Sequence, residues 1–464
     1  MSSWSDHSLA FALQSAFGTP NTTDGDFAAI DGEFPKVSFE TPVTEVETMT
    51  GVVGASPRRL VGSRRGKLTF KMGLEGFITG YAPASENPGG VPATVGSEVI
   101  PLWLALAGNA MGSNNSAVSS MANFVRGLGL SNSEYTAAGM ASGTASTIVC
   151  DDAAASNKID VGQLVVAALA TDPLAPQIGF AKSKAIIGVG PTQLVTLFEA
   201  AKNDVNDAAA DLYGTSTAYM SAEVSAVHPM TFRWTGPTVA GATAPAAFCY
   251  ELLDAVCESV KGTWNVGEVP TVEFTYTFYD FRLNKLDGGL VVPTGYTEIP
   301  QIVGSVNGFA TISTAQKCSL ESCTWEWAAT LRETKCHAAT NGVSAVSVIK
   351  PRLKVGMSVL HDSEDLAFDA GGTSAIVGQH IYQSALELGS TVSVGAYVGT
   401  QVGKVWAMLL PAARIVAVPQ VSLRDDQVAY QLEMEAGAYT GDSTDTAETT
   451  ADSPIDSIGR ISLG

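Results

Sequence analysis

Apolar and polar residues alternate along two separated stretches of the chain. In the first stretch, residues 36–75, Val37 and Phe39 alternate with polar neighbours, and residues 67–72 are apolar at every second position. In the second stretch, residues 318–359, the same period of two recurs on both sides of a polar segment. A period of two is typical of β-strands with one buried face. Each stretch therefore predicts two strands joined by a long polar loop.

A second pair of stretches predicts hairpins that close a sheet. Residues 256–264 form one expected strand, 267–270 form a turn with the sequence Gly-Glu-Val-Pro, and 272–278 alternate strictly between apolar and polar. Residues 413–435 repeat this arrangement around a polar turn. Because both kinds of hairpin occur twice, we expect a chain built from two copies of one β-module.

The remaining segments differ in character. Residues 97–111 predict a short helix, with Ser97 as its cap, Pro101 in its first turn and Gly108 at its end. Residues 113–235 are rich in Ala, Gly, Ser and Asn and contain short apolar runs, which indicates a small β domain inserted into the first module.

We expect a mainly β protein with two β-sandwich or barrel modules, a short packed helix and an inserted small β domain. The expected organisation is an N-terminal arm (1–35), a first module (36–112 and 236–284), the insert (113–235), a linker (285–300), a second module (301–439) and a polar C-terminal tail (440–464).

Charge limits the possible partners. The formal net charge is −20, and only 16% of the residues are charged. Such an acidic chain is a poor candidate for wrapping nucleic acid or binding an anionic membrane, since phosphate binding needs a basic surface. The negative charge is compatible with a protein that lines a channel through which DNA moves without binding. The N-terminus lacks the basic region and cleavage site of a signal peptide, and no apolar run reaches membrane-spanning length, so we expect a protein made and kept soluble in a cytoplasm.

No complete catalytic or metal-binding motif is present. Residues 399–405 are one residue short of a phosphate-binding loop, and 139–143 place a serine one position off a nucleophile elbow. The five histidines are scattered, and the six cysteines contain no CxxC pair and fit small buried hydrophobes. We therefore expect no enzyme, no metal and no cofactor.

The loop predicted at residues 51–66 is basic in an otherwise acidic chain. Its cations are Arg58, Arg59, Arg64 and Arg65. The loop is either a solvated flexible segment or an arm that contacts a neighbouring subunit or ring. The local reversal of charge favours the arm, because arginines can pair with the acidic surface of a second copy.

Five segments together resemble the major tail tube proteins of long-tailed, siphovirus-like bacteriophages. They are the N-terminal arm at 9–20, the hairpin and loop at 42–72, the helix at 101–107, the hairpin at 260–281 with its Gly-Glu-Val-Pro turn, and the C-terminal segment 411–437. The resemblance implies rings that stack into a hollow virion tail tube, assembled in the host cytoplasm, through which the genome passes without specific binding. It implies tape measure, terminator and distal tail proteins as partners, and no membrane.

In this family, six modules line each ring. A chain with two modules would close the same ring as a trimer with pseudo-sixfold symmetry, and a hexamer is the alternative. The acidic residues on alternating strands are the candidates for the channel lining, although a solvated outer face would carry the same pattern: Glu40, Glu45, Glu47, Glu273, Glu433 and Glu435. Competing interpretations are another phage ring protein, from the baseplate, the distal tail or the capsid decoration, and a bacterial surface-layer protein, which the missing signal peptide disfavours.

Overall fold

The computed structural model describes residues 7–23, 27–30, 32–41, 43–46, 58–62, 64–74, 125–126, 140–144, 147–150, 162, 164–169, 172–186, 193–198, 210–213, 216–221, 229–238, 246–287, 309–312, 316–336, 339, 342–360, 386–399, 405–418, 420–424, 427–437, 439 and 457–463. Strands dominate these residues, and the only helix within them spans 386–388. The predicted mainly β fold class is confirmed.

The strands follow in chain order. The first group is β1 (Ser8–Leu13), β2 (Ala28–Ile30), β3 (Lys36–Glu40), β4 (Val43–Val46), β5 (Arg58–Val61), β6 (Arg65–Gly73) and β7 (Val125–Arg126). The second group is β8 (Met140–Thr144), β9 (Thr147–Cys150), β10 (Leu164–Leu169), β11 (Asp172–Ile186), β12 (Gln193–Leu197) and β13 (Ala210–Tyr213). The third group is β14 (Ser216–Ser221), β15 (Met230–Thr238), β16 (Ala246–Asn265), β17 (Thr271–Phe278) and β18 (Asp280–Asp287). The last group is β19 (Phe309–Ile312), β20 (Gln316–Lys335), β21 (Val343–Leu360), β22 (Val392–Val398), β23 (Trp406–Ile415), β24 (Gln420–Arg424), β25 (Gln427–Ala436) and β26 (Ser457–Leu463).

Eight strands pair in one continuous antiparallel run, which we call the long sheet. Its order is β3-β6-β17-β16-β20-β21-β25-β24. The predicted hairpins are all present in it: β16 and β17 meet at the turn before Thr271, and β24 and β25 meet at Arg424 and Gln427. The hairpin of β20 and β21 is longer than expected. Strand β20 continues into the polar segment that was predicted to be a loop and ends at Lys335, and β21 begins at Val343.

The joint between the two halves of the chain lies in the C-terminal part of β16. One edge of that strand pairs with β17, where Val260 is opposite Phe274, and the other edge pairs with β20, where Val260 is opposite Trp327. The two predicted modules are therefore continuous in one sheet rather than two separate sandwiches.

The N-terminal part of β16 belongs to a second layer. There β16 pairs with β15 and β18, and β15 continues through β1 to β2. Phe232 of β15 contacts the rings of Phe70 and Tyr276 on the long sheet, with centroids 5.9 and 4.8 Å apart. The aromatic contacts hold the two layers of the first half together.

The second half forms a closed circuit of six strands. The pairings run β20-β19-β22-β23-β25-β21 and return to β20. Because the circuit is closed, each of its six strands has a neighbour on both sides. Two of them, β20 and β25, also pair with strands of the long sheet outside the circuit. Trp327, Met408 and Leu410 are fully buried in the core.

The strands do not follow all of the predicted domain boundaries. The separate part of the insert is the six-stranded sheet β13-β10-β11-β12-β9-β8, whereas the boundary at residue 235 falls inside β15, a central strand of the first half. Likewise, the predicted N-terminal arm contains β1 and β2, whose residues Leu9 and Phe11 are buried. Short strands rich in small residues carry too weak a pattern to assign to one layer or the other.

The predicted polar tail at 440–464 also needs correction. Its last residues form β26, which lies between β23 and β14 and buries Ile458 and Ile461. Arg460 is buried beside it, with its guanidinium 5.3 Å from the Phe198 ring centroid and 5.9 Å from that of Tyr439. The overall polar composition of the segment concealed a strand that tertiary pairing stabilises.

The predicted basic loop is shorter than expected. Residues 58–61 form β5, which pairs with β4 so that Arg59 is opposite Glu45 and Arg58 opposite Val46. Residues 51–57, the predicted helix at 101–107 and most of the predicted linker lie outside the described residues. Among the residues that are described, no helix has the length and apolar character needed to cross a membrane.

Packing at the joint leaves no room for a side chain at Gly262. Gly262 of β16 is opposite Trp325 of β20, and a Cβ at this position would lie 2.1 Å from the indole. Trp325 is itself buried with 1% of its surface exposed. The close approach of backbone and indole brings the two halves together.

We expect Gly262→Ala to lower the free energy of unfolding by about 3 kcal/mol, because the added methyl overpacks a rigid core. Gly236→Ala is the matched control: it is also a strand glycine, and its nearest atom, in His7, would be 3.6 Å from the new Cβ. Urea unfolding of both variants measures the difference. Equal midpoints for the two would contradict the packing described at the joint.

The bend in β16 between its two layers occurs at Asp254, whose φ is +54°. Burial raises the pKa of the Asp254 carboxyl above its ordinary value of 3.8, and the charge of the nearby Asp280 raises this pKa further. The N–H of Gly18 donates to Oδ1 of Asp254 at 2.6 Å, which lowers the pKa by a smaller amount than burial raises it. A raised carboxyl pKa means that the folded state becomes less stable, relative to a neutral side chain, as the pH rises through that pKa.

Asp254→Asn should therefore raise the melting temperature at pH 7, because the amide keeps the acceptor for Gly18 and tolerates the positive φ without burying a charge. The gain should shrink as the pH falls through the raised pKa and vanish below 3.8, where the carboxyl is protonated in the folded and unfolded chains. Thermal melts across this pH range measure it. A gain that is independent of pH would show that charge burial is not the cause.

Candidate functional site

One face of the long sheet is polar along its whole width. On β6, Leu68, Phe70 and Met72 point into the core, and the residues between them point outward. The same alternation holds on β17, whose apolar residues Val272, Phe274 and Tyr276 are buried. Because side chains alternate between the two faces of a strand, the outward positions of successive strands share one surface, which we call the polar face.

A row of opposite charges crosses this face. Its members are direct cross-strand partners on six strands of the long sheet, from β6 to β25, and on the adjoining β23: Lys71, Glu273, Lys261, Glu326, Lys354, Glu435 and Arg414. We call this row the charge ladder. Each carboxylate in it lies between two cations.

The ladder has an eighth member at its β6 end. The carboxylate of Glu33 lies 3.2 Å from Nζ of Lys71, so that four carboxylates alternate with four cations. Most of the side chains in the ladder are exposed, and Lys71 and Glu435 are partly buried. Cross-strand partners have Cβ atoms about 5 Å apart, which puts each charge within reach of its neighbours.

The rows beside the ladder carry hydroxyl and amide groups. Thr271, Thr263 and Thr324 are cross-strand partners in the next row, which continues through Gly356 to Glu433. A further row carries Asn265, Ser322, Ser358, Gln431 and Gln420. Apart from Glu433, the side chains of these two rows carry no net charge.

Near the hairpin end of β6, the polar face contains an open depression of about 420 Å³ with a cluster of ion pairs. Arg65 lies 3.0 Å from Glu40 and 3.6 Å from Glu333, and Lys67 lies 2.9 Å from Glu258. Burial, followed by the charges of Glu333 and Glu258, raises the pKa of the Tyr279 hydroxyl that lines the depression. Each of these charges has a partner of opposite sign in the same chain.

The predicted channel-lining acids come together in part. Glu40, Glu273, Glu433 and Glu435 all lie on the polar face, although they belong to different rows. Glu45 lies on β4, outside the long sheet, and Glu47 lies outside the described residues.

The lysines on the same strands were not identified from the sequence. Glu273 and Glu435 each lie between two cations, so the row that contains them is balanced rather than acidic. The outward positions of Lys71, Lys261 and Lys354 on strongly alternating strands were a sequence signal for this balance.

The four predicted contact arginines separate into two pairs. Arg65 binds Glu40, and Arg64 donates to the carbonyl of Phe281 and lies over its ring at 5.8 Å. Both are thus held within their own chain. Arg58 and Arg59 lie on β5, in the hairpin that extends beyond β3 and β6.

The described residues were also compared with the requirements of metal and thiol chemistry. No group of three or more His, Cys, Asp or Glu residues within that part could hold a metal ion. Burial raises the pKa of the Cys257 and Cys323 thiols, and a raised pKa makes a thiol a poor nucleophile at neutral pH. The arrangement is a broad charged surface rather than a pocket with convergent reactive groups.

No protein-family model matches this chain, and no curated protein matches it in sequence.

Proposed function

We propose that this protein is a structural virion protein: the major tail tube protein of a long-tailed bacteriophage, which assembles into stacked rings around a channel for the genome. The observation that carries the proposal is the long sheet, in which two equivalent four-strand units are already paired within one chain. The polar face of this sheet is the proposed channel lining.

The two units have the same strand order and direction. The first is β3-β6-β17-β16 and the second is β20-β21-β25-β24. Lys71 on the second strand of the first unit and Lys354 on the second strand of the second unit each lie opposite a glutamate on the third strand, Glu273 and Glu435 respectively. The internal joint of β16 and β20 is therefore a template for how one unit pairs with the next.

Both ends of the long sheet are open. In the described part of the chain, the residue register pairs β3 only with β6, and β24 only with β25. Because the run has an even number of antiparallel strands, β24 of one copy is antiparallel to β3 of the next in a head-to-tail ring. Such a ring continues the sheet without a reversal and leaves no exposed edge.

The apolar layer beneath the sheet is also uncovered at these two ends. Phe39 on β3 is 40% exposed, and Val421 on β24 is 48% exposed, although both lie at positions that point toward the core side of the sheet. Contact between the two ends would cover both side chains, as Trp325 and Trp327 are covered at the internal joint.

The width of the ring favours a trimer. Three copies supply twenty-four strands, and with strands about 4.8 Å apart and tilted by about 40° the backbone ring is roughly 48 Å across. A hexamer would be roughly twice as wide by the same calculation. The trimer leaves a channel suited to one DNA duplex, lined by the polar face, and gives pseudo-sixfold symmetry.

Stacking of the rings is assigned to the β4–β5 hairpin. Arg58 and Arg59 lie on this hairpin, and it extends past the end of the long sheet. Arg64 and Arg65 are held by contacts in their own chain, so we assign the contact with an adjacent ring to the strand that carries Arg58 and Arg59, where Arg59 has Glu45 opposite it.

Electron microscopy of the purified protein at high concentration tests the proposal directly. We expect rings or tubes with a central channel and three chains per ring. Protein that stays monomeric at all concentrations, and also in the presence of partner tail proteins, would contradict a tube function.

Cross-linking tests the head-to-tail contact. In a Cys336→Ser background, which removes an exposed native thiol, a chain carrying both Ser38→Cys and Ser422→Cys should form covalent dimers and trimers with a flexible bis-maleimide. The reason is that β3 of one copy lies beside β24 of the next. Gel electrophoresis under denaturing conditions measures the products.

The two single-cysteine variants are the matched controls. Neither should form covalent trimers, because a heterologous contact brings together unlike edges. Rings that form while the double variant cross-links no better than the controls would show that other strands make the contact.

A further inference from the structure

The charge ladder departs from the character of the chain that carries it. The chain has 26 cations and 46 carboxylates, a net charge of −20, yet the ladder places four of each in strict alternation. Exposed ion pairs contribute little to stability, so folding alone does not require this arrangement. The ladder instead determines the charge that the polar face presents to whatever lies opposite.

The spacing of the ladder determines how far its charges can be felt. Adjacent strands are about 4.8 Å apart, so the sign of the charge repeats about every 10 Å. This repeat is close to the Debye length of about 8 Å at physiological salt. A phosphate chain near the face therefore meets both signs within one screening length, and the attraction of each lysine is offset by the adjacent carboxylates.

We propose that the charge ladder keeps the polar face neutral toward duplex DNA, so that the wall neither binds the phosphates nor repels them. The inference rests on the proposed function, in which this face lines the channel. Without the carboxylates, Lys71, Lys261, Lys354 and Arg414 would form a strip of free cations across the sheet. Such a strip would bind phosphates with release of counterions, and would retard a moving duplex.

The neighbouring rows fit this role. Apart from Glu433, the threonines of the next row and the amides beyond it carry no net charge, so they add no cation that would release counterions on contact with phosphates. An all-acidic lining, as expected from the sequence, would repel the duplex instead. A balanced lining lets the duplex approach the wall without a barrier.

The test removes only the carboxylates. Glu273→Gln, Glu326→Gln and Glu435→Gln together preserve side-chain size and leave four cations with the single carboxylate of Glu33. We expect the full-length triple variant to bind duplex DNA at least tenfold more tightly than the wild type at low salt. The plot of log affinity against log salt should have a slope corresponding to about three released counterions.

The matched control makes the same change in net charge elsewhere. Asp442→Asn, Asp445→Asn and Glu448→Gln alter residues in the 440–456 segment, which lies outside the described residues. This control should bind DNA no better than the wild type. Fluorescence anisotropy with a labelled duplex measures all three proteins, and circular dichroism verifies their folding.

If the triple variant does not fold, the single variant Glu326→Gln, at the centre of the ladder, is measured instead. We expect it to bind DNA more tightly than the wild type, with a smaller gain in affinity than the triple variant. The proposal is overturned if the folded carboxylate variants bind DNA like the wild type, or if the control binds as tightly as the triple variant. Either result leaves the ring function intact, since ring formation is scored separately by microscopy. Wild-type protein that forms no rings would refute the tube function instead.

Discussion

The pairing of β16 with β20 is the constraint on which the rest of the structure depends. A strand edge must satisfy its backbone hydrogen bonds, and β16 does so on both edges, with a different half of the chain on each. The close contact of Gly262 with Trp325 at this joint admits no side chain larger than hydrogen. Because the joint is made within one chain, the two four-strand units form without an association step.

The layers behind the long sheet follow from the same joint. In the first half, β16 bends at Asp254 and continues into a second layer, so that one strand serves both. In the second half, the strands close a circuit through β22 and β23 instead. The two four-strand units thus share one face of the long sheet, while different strands cover their core sides.

With the core side covered, the outward positions of the long sheet form a single surface. Register sets its chemistry: a slip of one residue in any strand would exchange buried and exposed side chains and break the alternation of charge. The alternation in turn opposes such slips, because each charge would then lose the opposite charges beside it. The same residues therefore support the register of the sheet and determine the charge of the surface.

Much of the fold followed from the sequence. Strict alternation in strands such as β6 and β17 predicted the mainly β class and the hairpins, because a period of two reflects burial on one side. The outward direction of Glu273, Glu433 and Glu435 followed from the same pattern. The resemblance to tail tube proteins rested on the order of these elements.

Tertiary structure decided what depends on partners distant in the chain. The sequence alone could not show that β26 is buried, that β15 belongs to the first half, or that β5 pairs within the basic loop, because their own residues are too few or too weakly patterned. It also could not show that Glu273 and Glu435 lie between cations. Alternation along a strand determines which way a side chain points, but only the register between strands determines which charges become neighbours.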